Sequence, residues 1–362
     1  MDNQPLQFIK RFWPLIAGPL FGILITWIFL RSLFFVAADP AAIQLTRIEI
    51  AQGKTLTDIA RELKEKGILN SALSLRIIAR LKGVDTRITA GEYELSPSMT
   101  PKEILQKLAS GEVLKRRVTV REGITLWEIG DLLEQAGVVT KSEFTAAATD
   151  RGLIEKAGLS AVNAKSFEGY LFPETYFFSR PITAEKVLWT MLEEGEKHWP
   201  EEFTNRADEL RLTRHDVLTL ASIVERETGS AEEMPMVSSV FHNRLKQGMR
   251  LQSDPTVIYG IPNFNGNITR ADLETPSPYN TYLIVGLPPG PIGNPGEKAV
   301  RAALYPAETA FLYFVSNNQG SHIFSTNLKD HNDAVARYQS ARSGIPSENA
   351  APTVEAAAPA QP

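Results

Sequence analysis

Cysteine is absent from this chain of 362 residues, which excludes disulfide bonds, thiol nucleophiles and cysteine-ligated metal ions. The chain also lacks an excess of basic residues, because 38 Lys and Arg face 42 Asp and Glu, and nucleic acid is therefore not expected as a partner. The five histidines include no HExxH pair. We accordingly predict neither a metal site nor a cofactor.

Several common catalytic signatures are missing as well. No GxSxG or SxxK motif is present, which removes the usual classes of serine acyl transfer. No glycine pattern typical of a Walker or Rossmann nucleotide site occurs. The chemistry that remains is that of carboxylates. Hydrophobic residues make up 43% of the chain, which is enough for two or more domains with cores of their own.

One long apolar run is present, from Phe12 to Val36, and Arg31 is its only charged residue. About 20 apolar residues span a bilayer, whereas the apolar core of a signal peptide has only about 7–15. The run therefore predicts a single transmembrane helix at residues 12–36. Lys10 and Arg11 precede it and favour a cytoplasmic N-terminus of residues 1–11, with the remainder of the chain outside the cytoplasmic membrane.

An internal repeat follows the apolar run. Residues Ile48–Leu69 align without gaps to Val118–Val139, with Gly53 opposite Gly123. Each copy predicts a short strand, a turn at the glycine and a helix. Residues 45–112, which contain the first copy, are similar to LysM modules, and LysM modules bind glycans that carry N-acetyl groups. A small α/β spacer requires the same pattern, so the sequence leaves both interpretations open.

A helix is predicted to begin after Thr213, because Thr213 and Asp216 have the spacing of a capping box. At about 100° per residue, Glu225 lies inside the apolar stripe of this helix. A buried carboxylate must be paired or protonated, and the protonated form is the one that a general acid needs. A structural salt bridge is the ordinary alternative. Glu227 also lies on an apolar flank, and the helical pattern does not choose between the two glutamates.

The segments after this helix mix regular structure with loops. Residues Met236–Gln247 predict a second helix, Asp254-Pro255 a turn and Thr256–Tyr259 a strand. FLYFVS and HIFSTNL predict a β-hairpin. The proline-rich segments ADLETPSPYNTY and GLPPGPIGNPG predict loops, where polar groups of functional sites often lie.

Six motifs in a fixed order closely resemble the YceG-like endolytic murein transglycosylases, also called the MltG family. They are EGYLFPETY, ASIVERET, FHNRLKQGMRLQSDPTVIYG, LETPSPYNTY, GLPPGPIGNPG and SHIFSTNLKDHN. Together with the patterns above, the resemblance predicts an α+β protein with an N-terminal transmembrane helix, a LysM-like α/β module and a mixed α+β YceG-like catalytic domain at 113–342. Within that domain, 113–165 would be a connecting, repeat-like subdomain and 166–342 the catalytic core. The low-complexity segment 343–362 predicts a disordered tail.

The resemblance implies a reaction. The enzyme would cleave the MurNAc–GlcNAc bond inside nascent glycan strands of peptidoglycan, leave 1,6-anhydro-MurNAc ends and thereby terminate strand elongation. Glu225 matches the catalytic position of the family and would act first as acid and then as base. The candidate substrate-binding residues are Glu168, Tyr176, Gln252, Asp254, Tyr259, Asn280 and Tyr282.

The resemblance also implies a location and a partner. The protein would be anchored once in a bacterial cytoplasmic (inner) membrane with its catalytic domain in the periplasm, and it would associate with peptidoglycan synthases of the penicillin-binding type. Two alternatives stay open. The first is a non-catalytic glycan-binding scaffold in wall synthesis with a structural Glu225. The second is a muramidase-type hydrolase, which needs a second carboxylate beside Glu225.

Overall fold

A computed structural model describes residues 4–84 and 88–338 of the chain and has a mixed α+β fold. The chain divides into two units. The first comprises the described residues up to Arg117 together with Phe177–Ile182. The second comprises Val118–Tyr176 and the described residues from Thr183 onward. The predicted tail at 343–362 lies outside the described residues.

The first unit has a strand–helix–helix–strand–helix order after its N-terminal helix. Its elements are α1 (Gln4–Phe35), β1 (Thr46–Ile50), α2 (Leu56–Glu65), α3 (Ala72–Lys82), β2 (Gly91–Leu95) and α4 (Pro101–Ser110). β1 and β2 pair antiparallel with Ile48 opposite Tyr93, and both side chains are buried. Leu63 of α2, Ile78 of α3 and Ile104 of α4 join them in one apolar core. The sheet is thus covered by apolar faces of three helices.

The N-terminal part of the structure requires a correction. Within residues 4–84 and 88–338, no helix combines the length and the apolar character that crossing a membrane requires. The predicted transmembrane helix at 12–36 is therefore wrong, and so is the predicted single-pass location with an inside N-terminus and a periplasmic catalytic domain. The prediction rested on counting apolar residues along the sequence.

The chain continues with two more short sheets and eleven further α-helices in its described part. The elements are β3 (Arg116–Thr119), α5 (Leu126–Gln135), α6 (Lys141–Ala148), α7 (Arg151–Lys156), a 3-10 turn (Leu159–Val162), β4 (Thr175–Phe178), α8 (Ala184–Lys197), α9 (Glu201–Leu210), α10 (Arg214–Glu227), α11 (Met234–Lys246), α12 (Asp254–Tyr259), α13 (Arg270–Glu274), α14 (Glu297–Leu304), β5 (Tyr313–Ser316), β6 (His322–Ser325) and α15 (Leu328–Tyr338). β3 pairs with β4 and β5 pairs with β6.

The two copies of the repeat fold alike. Each has a strand, a glycine with positive φ and a helix capped by threonine, with φ of 84° at Gly53 and 76° at Gly123. Thr55 accepts a hydrogen bond from the Asp58 amide in the first copy, and Thr125 does so from the Glu128 amide in the second. The local structure predicted from the alignment is therefore confirmed.

α10 is the central helix of the second unit. The predicted capping box is present, because the Thr213 side chain accepts from the Asp216 amide while the Asp216 carboxylate accepts from the Thr213 amide. All residues from Val217 to Val224 are buried, and α9, α11, α12 and α14 pack against the helix. Burial on all sides exceeds the single apolar stripe that the sequence predicted. The last residues of the helix, which follow this buried run, therefore lie at the edge of the core.

The segments after α10 follow the predictions with two exceptions, the first being that ADLETPSPYNTY, predicted as a loop, begins within helix α13 (Arg270–Glu274). α11 and the β5–β6 hairpin are confirmed, with Val315 opposite Ile323. The residues predicted as a strand, Thr256–Tyr259, instead belong to helix α12. Pro255 lies in the first turn of α12. Backbone amides in the first turn make no hydrogen bond within the helix, so proline is tolerated there although it has no amide hydrogen. The proline therefore begins a helix here and does not mark a turn before a strand.

Candidate active site

Three charged residues lie at the carboxyl-terminal end of α10. Glu225, Arg226 and Glu227 are each partly exposed, directly after the buried run that ends at Val224. Arg226 donates a hydrogen bond from Nη1 to the Gly123 carbonyl at 3.1 Å. The two glutamates lie in different surroundings, and these surroundings determine what each carboxylate can do.

Glu225 accepts a hydrogen bond at Oε2 from the Gly296 amide, at 3.0 Å. Gly296 is the residue that caps α14. Burial raises the pKa of the Glu225 carboxyl, and the negative charge of Glu122 raises it further. The Gly296 hydrogen bond and the positive charge of Lys298 act in the opposite direction but do not cancel the rise in this pKa. Glu225 is thus a partly exposed carboxyl whose pKa lies above that of an ordinary glutamate.

Two glycines allow this close arrangement. A Cβ atom on Gly296 would lie 2.2 Å from Oε1 of Glu122, and one on Gly123 would lie 3.2 Å from Cγ of Glu225. The first distance is shorter than real Cβ contacts, so a side chain at position 296 would require the exposed Glu122 side chain to move. The turn around Gly123 and the loop before α14 therefore approach Glu225 as bare backbone, and Gly296 contacts both Glu122 and Glu225.

The loop 286–296, which is the GLPPGPIGNPG segment, is held by Asn294. Its buried side-chain oxygen accepts from the amides of Gly169 and Leu171, at 2.9 and 3.0 Å. Its side-chain amide donates to the Ile124 carbonyl at 3.0 Å and to Glu168 Oε1 at 2.9 Å. A loop rich in proline and glycine cannot hold its own shape through backbone ladders. Asn294 supplies the missing hydrogen bonds and so fixes Gly296 beside Glu225.

Glu168 lies at the centre of this arrangement, with 3% of its surface exposed. Its carboxylate accepts from the Leu126 amide at 3.1 Å and from the Tyr259 hydroxyl at 3.2 Å, in addition to Asn294. Burial raises the pKa of Glu168 to about 8, and the hydrogen bonds from Leu126 and Tyr259 limit the rise. Glu168 therefore joins the start of α5, the loop 286–296 and α12 from within the protein.

Glu227 belongs to a separate polar cluster. Its Oε1 accepts a hydrogen bond from the Ser253 hydroxyl, and burial raises its pKa to about 7. Asp254 adds to this rise and Arg244 opposes it. Asp254 is exposed, and its Oδ1 accepts from the Tyr282 hydroxyl at 2.6 Å. Two of the predicted binding residues, Asp254 and Tyr282, are thus brought together near Glu227.

The other predicted binding residues have mainly internal contacts. Asn280 is 0% exposed and donates to the carbonyls of Leu273 and Thr275, so it shapes the loop that precedes Tyr282. Gln252 is partly exposed, has a φ of 50° and donates a hydrogen bond from its backbone N–H to the Thr281 carbonyl. Tyr176 is buried and donates its hydroxyl to the Phe172 carbonyl at 2.6 Å.

Three aromatic rings form a row on the same unit. The centroid of Tyr259 lies 5.4 Å from that of Trp127 and 4.8 Å from that of Tyr279. Trp127 is 41% exposed, and both tyrosines are partly exposed. Of these three residues, the sequence prediction named only Tyr259.

Sequence reasoning also missed Glu122, Gly123, Asn294 and Gly296. The alignment of the repeat identified Gly123 as a turn residue, but no local pattern placed that turn beside Glu225. Within residues 4–84 and 88–338, no group of three or more His, Asp and Glu residues is arranged to hold a metal ion.

Comparisons with known proteins agree on one family. A sequence model of the YceG-like family matches residues 48–337. The endolytic murein transglycosylase of Bacillus subtilis (strain 168) is 34% identical over 308 residues, which cover 82% of this chain and 85% of that protein. The enzyme of the same name from Streptococcus pneumoniae serotype 2 is 29% identical over 329 residues, covering 83% of this chain and 59% of the relative. A crystal structure of a putative YceG-like protein from Listeria monocytogenes is 32% identical, with a TM-score of 0.57, and the match covers 80% of this chain and 99% of that one.

Proposed function

The chain belongs to the YceG-like family, and we propose on that premise that it is an endolytic murein transglycosylase, a lytic enzyme that acts on peptidoglycan. The curated relatives that carry this name match more than four fifths of the chain. The observation that carries the proposal for the site is Glu225, a partly exposed carboxyl with a raised pKa at the end of a buried helix. This is the form of carboxyl that a general acid requires.

We assign the proton transfers to Glu225. Gly296 engages Oε2, so Oε1 is the oxygen that would face the substrate. The protonated carboxyl gives its proton to the glycosidic oxygen as the bond from that oxygen to C1 of MurNAc breaks. The resulting carboxylate then takes the proton of the C6 hydroxyl as the C6 oxygen bonds to C1. One proton leaves Glu225 and one returns, so no water is consumed and the product is a 1,6-anhydro-MurNAc end.

Glu227 fits this role less well. Its Oε1 already accepts the Ser253 hydroxyl, and the cluster of Asp254 and Tyr282 lies beside it. We propose that this cluster, with Gln252 and Asn280, shapes the binding surface for the glycan. Glu168, Tyr176 and Tyr259 would support that surface through their internal hydrogen bonds.

A second candidate function is favoured by the position of Glu122. Glu122 is an exposed carboxylate that acts electrostatically on Glu225, and Gly296 contacts both residues. A muramidase-type hydrolase uses two carboxylates, one as acid and one as base or nucleophile. Glu122 could supply the second group, in which case water would take the place of the C6 hydroxyl.

The first unit has a role of its own in this proposal. Residues 45–112 would form a LysM-like glycan-binding module, and the strand–helix–helix–strand order of β1, α2, α3 and β2 supports this assignment. The catalytic domain would then be 113–342. In the cell, the enzyme would terminate nascent strands in association with peptidoglycan synthases.

Mass spectrometry of products from purified peptidoglycan tests the proposal. Internal cleavage that yields 1,6-anhydro-MurNAc ends is the expected result. Reducing MurNAc ends would instead make the protein a hydrolase and give Glu122 the second catalytic role. If the folded protein binds glycan and releases no fragments, it is a non-catalytic scaffold and Glu225 is structural.

A further inference from the structure

The row of rings formed by Trp127, Tyr259 and Tyr279 is not required by the proton transfers. Large aromatic side chains are usually buried on most of their surface, and an isolated exposed ring is unremarkable. Here Trp127 is 41% exposed and contacts Tyr259, and Tyr259 in turn contacts Tyr279, with both tyrosines partly exposed. Consecutive centroids in this row lie 5.4 and 4.8 Å apart and consecutive ring planes are tilted by 48° and 55°, so the three rings together form an angled apolar surface.

The two tyrosines are held from within the protein. The Tyr259 hydroxyl donates to Glu168, which is buried. The Tyr279 hydroxyl oxygen lies beside Gly290, at 3.6 Å from the position of a Cβ there, and the His215 ring lies at the same place. Both phenol groups are therefore directed into the protein, so the exposed surface of this row consists mainly of ring carbons. The rings are fixed before any ligand arrives, which lowers the entropic cost of binding.

The row also lies next to the candidate catalytic carboxyl. Trp127 follows Gly123 by only four residues, and Gly123 approaches the Glu225 side chain. Arg226 donates to the Gly123 carbonyl and acts electrostatically on Glu168 and Tyr259. The turn around Gly123 and the side chain of Arg226 thus connect Glu225 with the aromatic row.

We infer that Trp127, Tyr259 and Tyr279 form a sugar-binding subsite on which a pyranose ring of the glycan strand stacks, beside the bond that Glu225 cleaves. Pyranose rings present a face of C–H groups, and such faces bind to aromatic rings, which combine a large apolar area with a polarised π surface. The occupant is the carbohydrate and not the stem peptide, because the tyrosine hydroxyls are turned inward and the exposed ring carbons lie beside the carboxyl that acts on the glycosidic bond. The inference rests on the proposed function and specifies where that substrate is held.

Binding without turnover tests this subsite. The full chain carrying Glu225→Gln is titrated with peptide-free glycan strands, and the same protein with Trp127→Ala or Trp127→Phe is compared. We expect Trp127→Ala to weaken binding at least about tenfold, which corresponds to about 1.4 kcal/mol. Trp127→Phe keeps an aromatic face and should bind within a few-fold of the parent. Phe177→Ala removes another exposed aromatic ring, 60% exposed, and should leave the affinity unchanged.

A fluorescence readout locates the contact and does not depend on the alanine variant being folded. Glycan should change the tryptophan emission of the parent, and this change should disappear in Trp127→Phe although binding persists. Equal affinity of the parent and Trp127→Ala would overturn the inference, and so would a fluorescence change that persists in Trp127→Phe. Trp127-dependent binding of free stem peptide in place of glycan would overturn it as well. Failure of the proposed function has a different signature, because wild-type protein would then cleave nothing while these titrations could still succeed.

Discussion

The two copies of the repeat have the same local fold and are used differently. The turn glycine of the first copy, Gly53, has open space where a Cβ would lie, whereas Gly123 of the second copy approaches Glu225. Gln52 and Thr57 of the first copy correspond to Glu122 and Trp127 of the second. A strand–turn–helix unit is thus a neutral structural element that acquires a function when its turn faces a reactive group.

The differences between the copies also concern their helix starts. α2 begins with a cap that uses the exposed Thr55 and Asp58. α5 has the equivalent cap and, in addition, gives its Leu126 amide to the buried Glu168. The second copy is therefore tied into a network of buried hydrogen bonds, and changes in it are expected to reach the site.

The largest expected effect concerns the carboxylate that the second turn approaches. Glu225→Gln keeps the size of the side chain but cannot deliver and recover a proton, and positioned proton transfer contributes about 10²–10⁴ in rate. We expect release of anhydro-ended fragments to fall by that factor while glycan binding persists. Glu227→Gln is the matched control on the same helix and should retain most of the activity. Near wild-type cleavage by a folded Glu225→Gln protein would remove Glu225 from the mechanism.

The two turn glycines provide a direct test of the comparison. Gly53→Ala and Gly123→Ala both place a side chain at positive φ, and each should lower the free energy of unfolding by about 1–2 kcal/mol. Only Gly123→Ala should also displace Glu225, and small misplacements at a reaction centre cost up to about 10² in rate. Denaturant titration and initial cleavage rates separate the two effects. If both variants lose activity equally, the second turn has no special relation to the site.

The smallest expected effect is a shift of the pH profile. Protonated Glu225 is the active form in the first step, so the rate should fall as the pH rises through the pKa of Glu225. Glu122 raises that pKa and Lys298 lowers it. Glu122→Gln should therefore move the alkaline limb of the profile to lower pH, and Lys298→Met should move it to higher pH, each by less than about one unit.

Two outcomes bear on the alternative functions. Gln52→Glu gives the first copy the carboxylate of the second and should leave the profile unchanged, which makes it the control for Glu122→Gln. If Glu122→Gln abolishes turnover at every pH, Glu122 is a second catalytic carboxylate and the hydrolase mechanism gains support. If the pH profile of Glu122→Gln coincides with that of the wild type, Glu122 does not act electrostatically on Glu225.

Much of the local structure was predictable because it depends on short-range rules. The capping pattern at Thr213 predicted the start of α10, and the glycine-matched alignment predicted both copies of the repeat. Short-range rules gave a wrong prediction at Pro255, because proline occurs both in turns and in the first turn of helices. Pro255 follows a polar residue as in a turn but lies in the first turn of α12. The apolar run near the N-terminus was likewise interpreted from composition, and the described residues contain no helix suited to spanning a membrane.

The sequence by itself determined which carboxylates lie on buried helices, where the turns fall and which family motifs occur, because these follow from periodicity, capping and residue identity. Only the tertiary structure decided which groups share the site. Glu225 lies beside Glu122, 103 positions earlier in the chain, and Gly296, 71 positions later, through contacts that no local pattern contains. Glu168 and Asn280 belong to the family motifs and are nevertheless buried. The Glu168 carboxylate accepts a hydrogen bond from the Leu126 amide, and the Asn280 side chain donates one to the Leu273 carbonyl. The pKa of each glutamate follows from that packing, because desolvation and neighbouring charge depend on distance in space and not on separation along the chain.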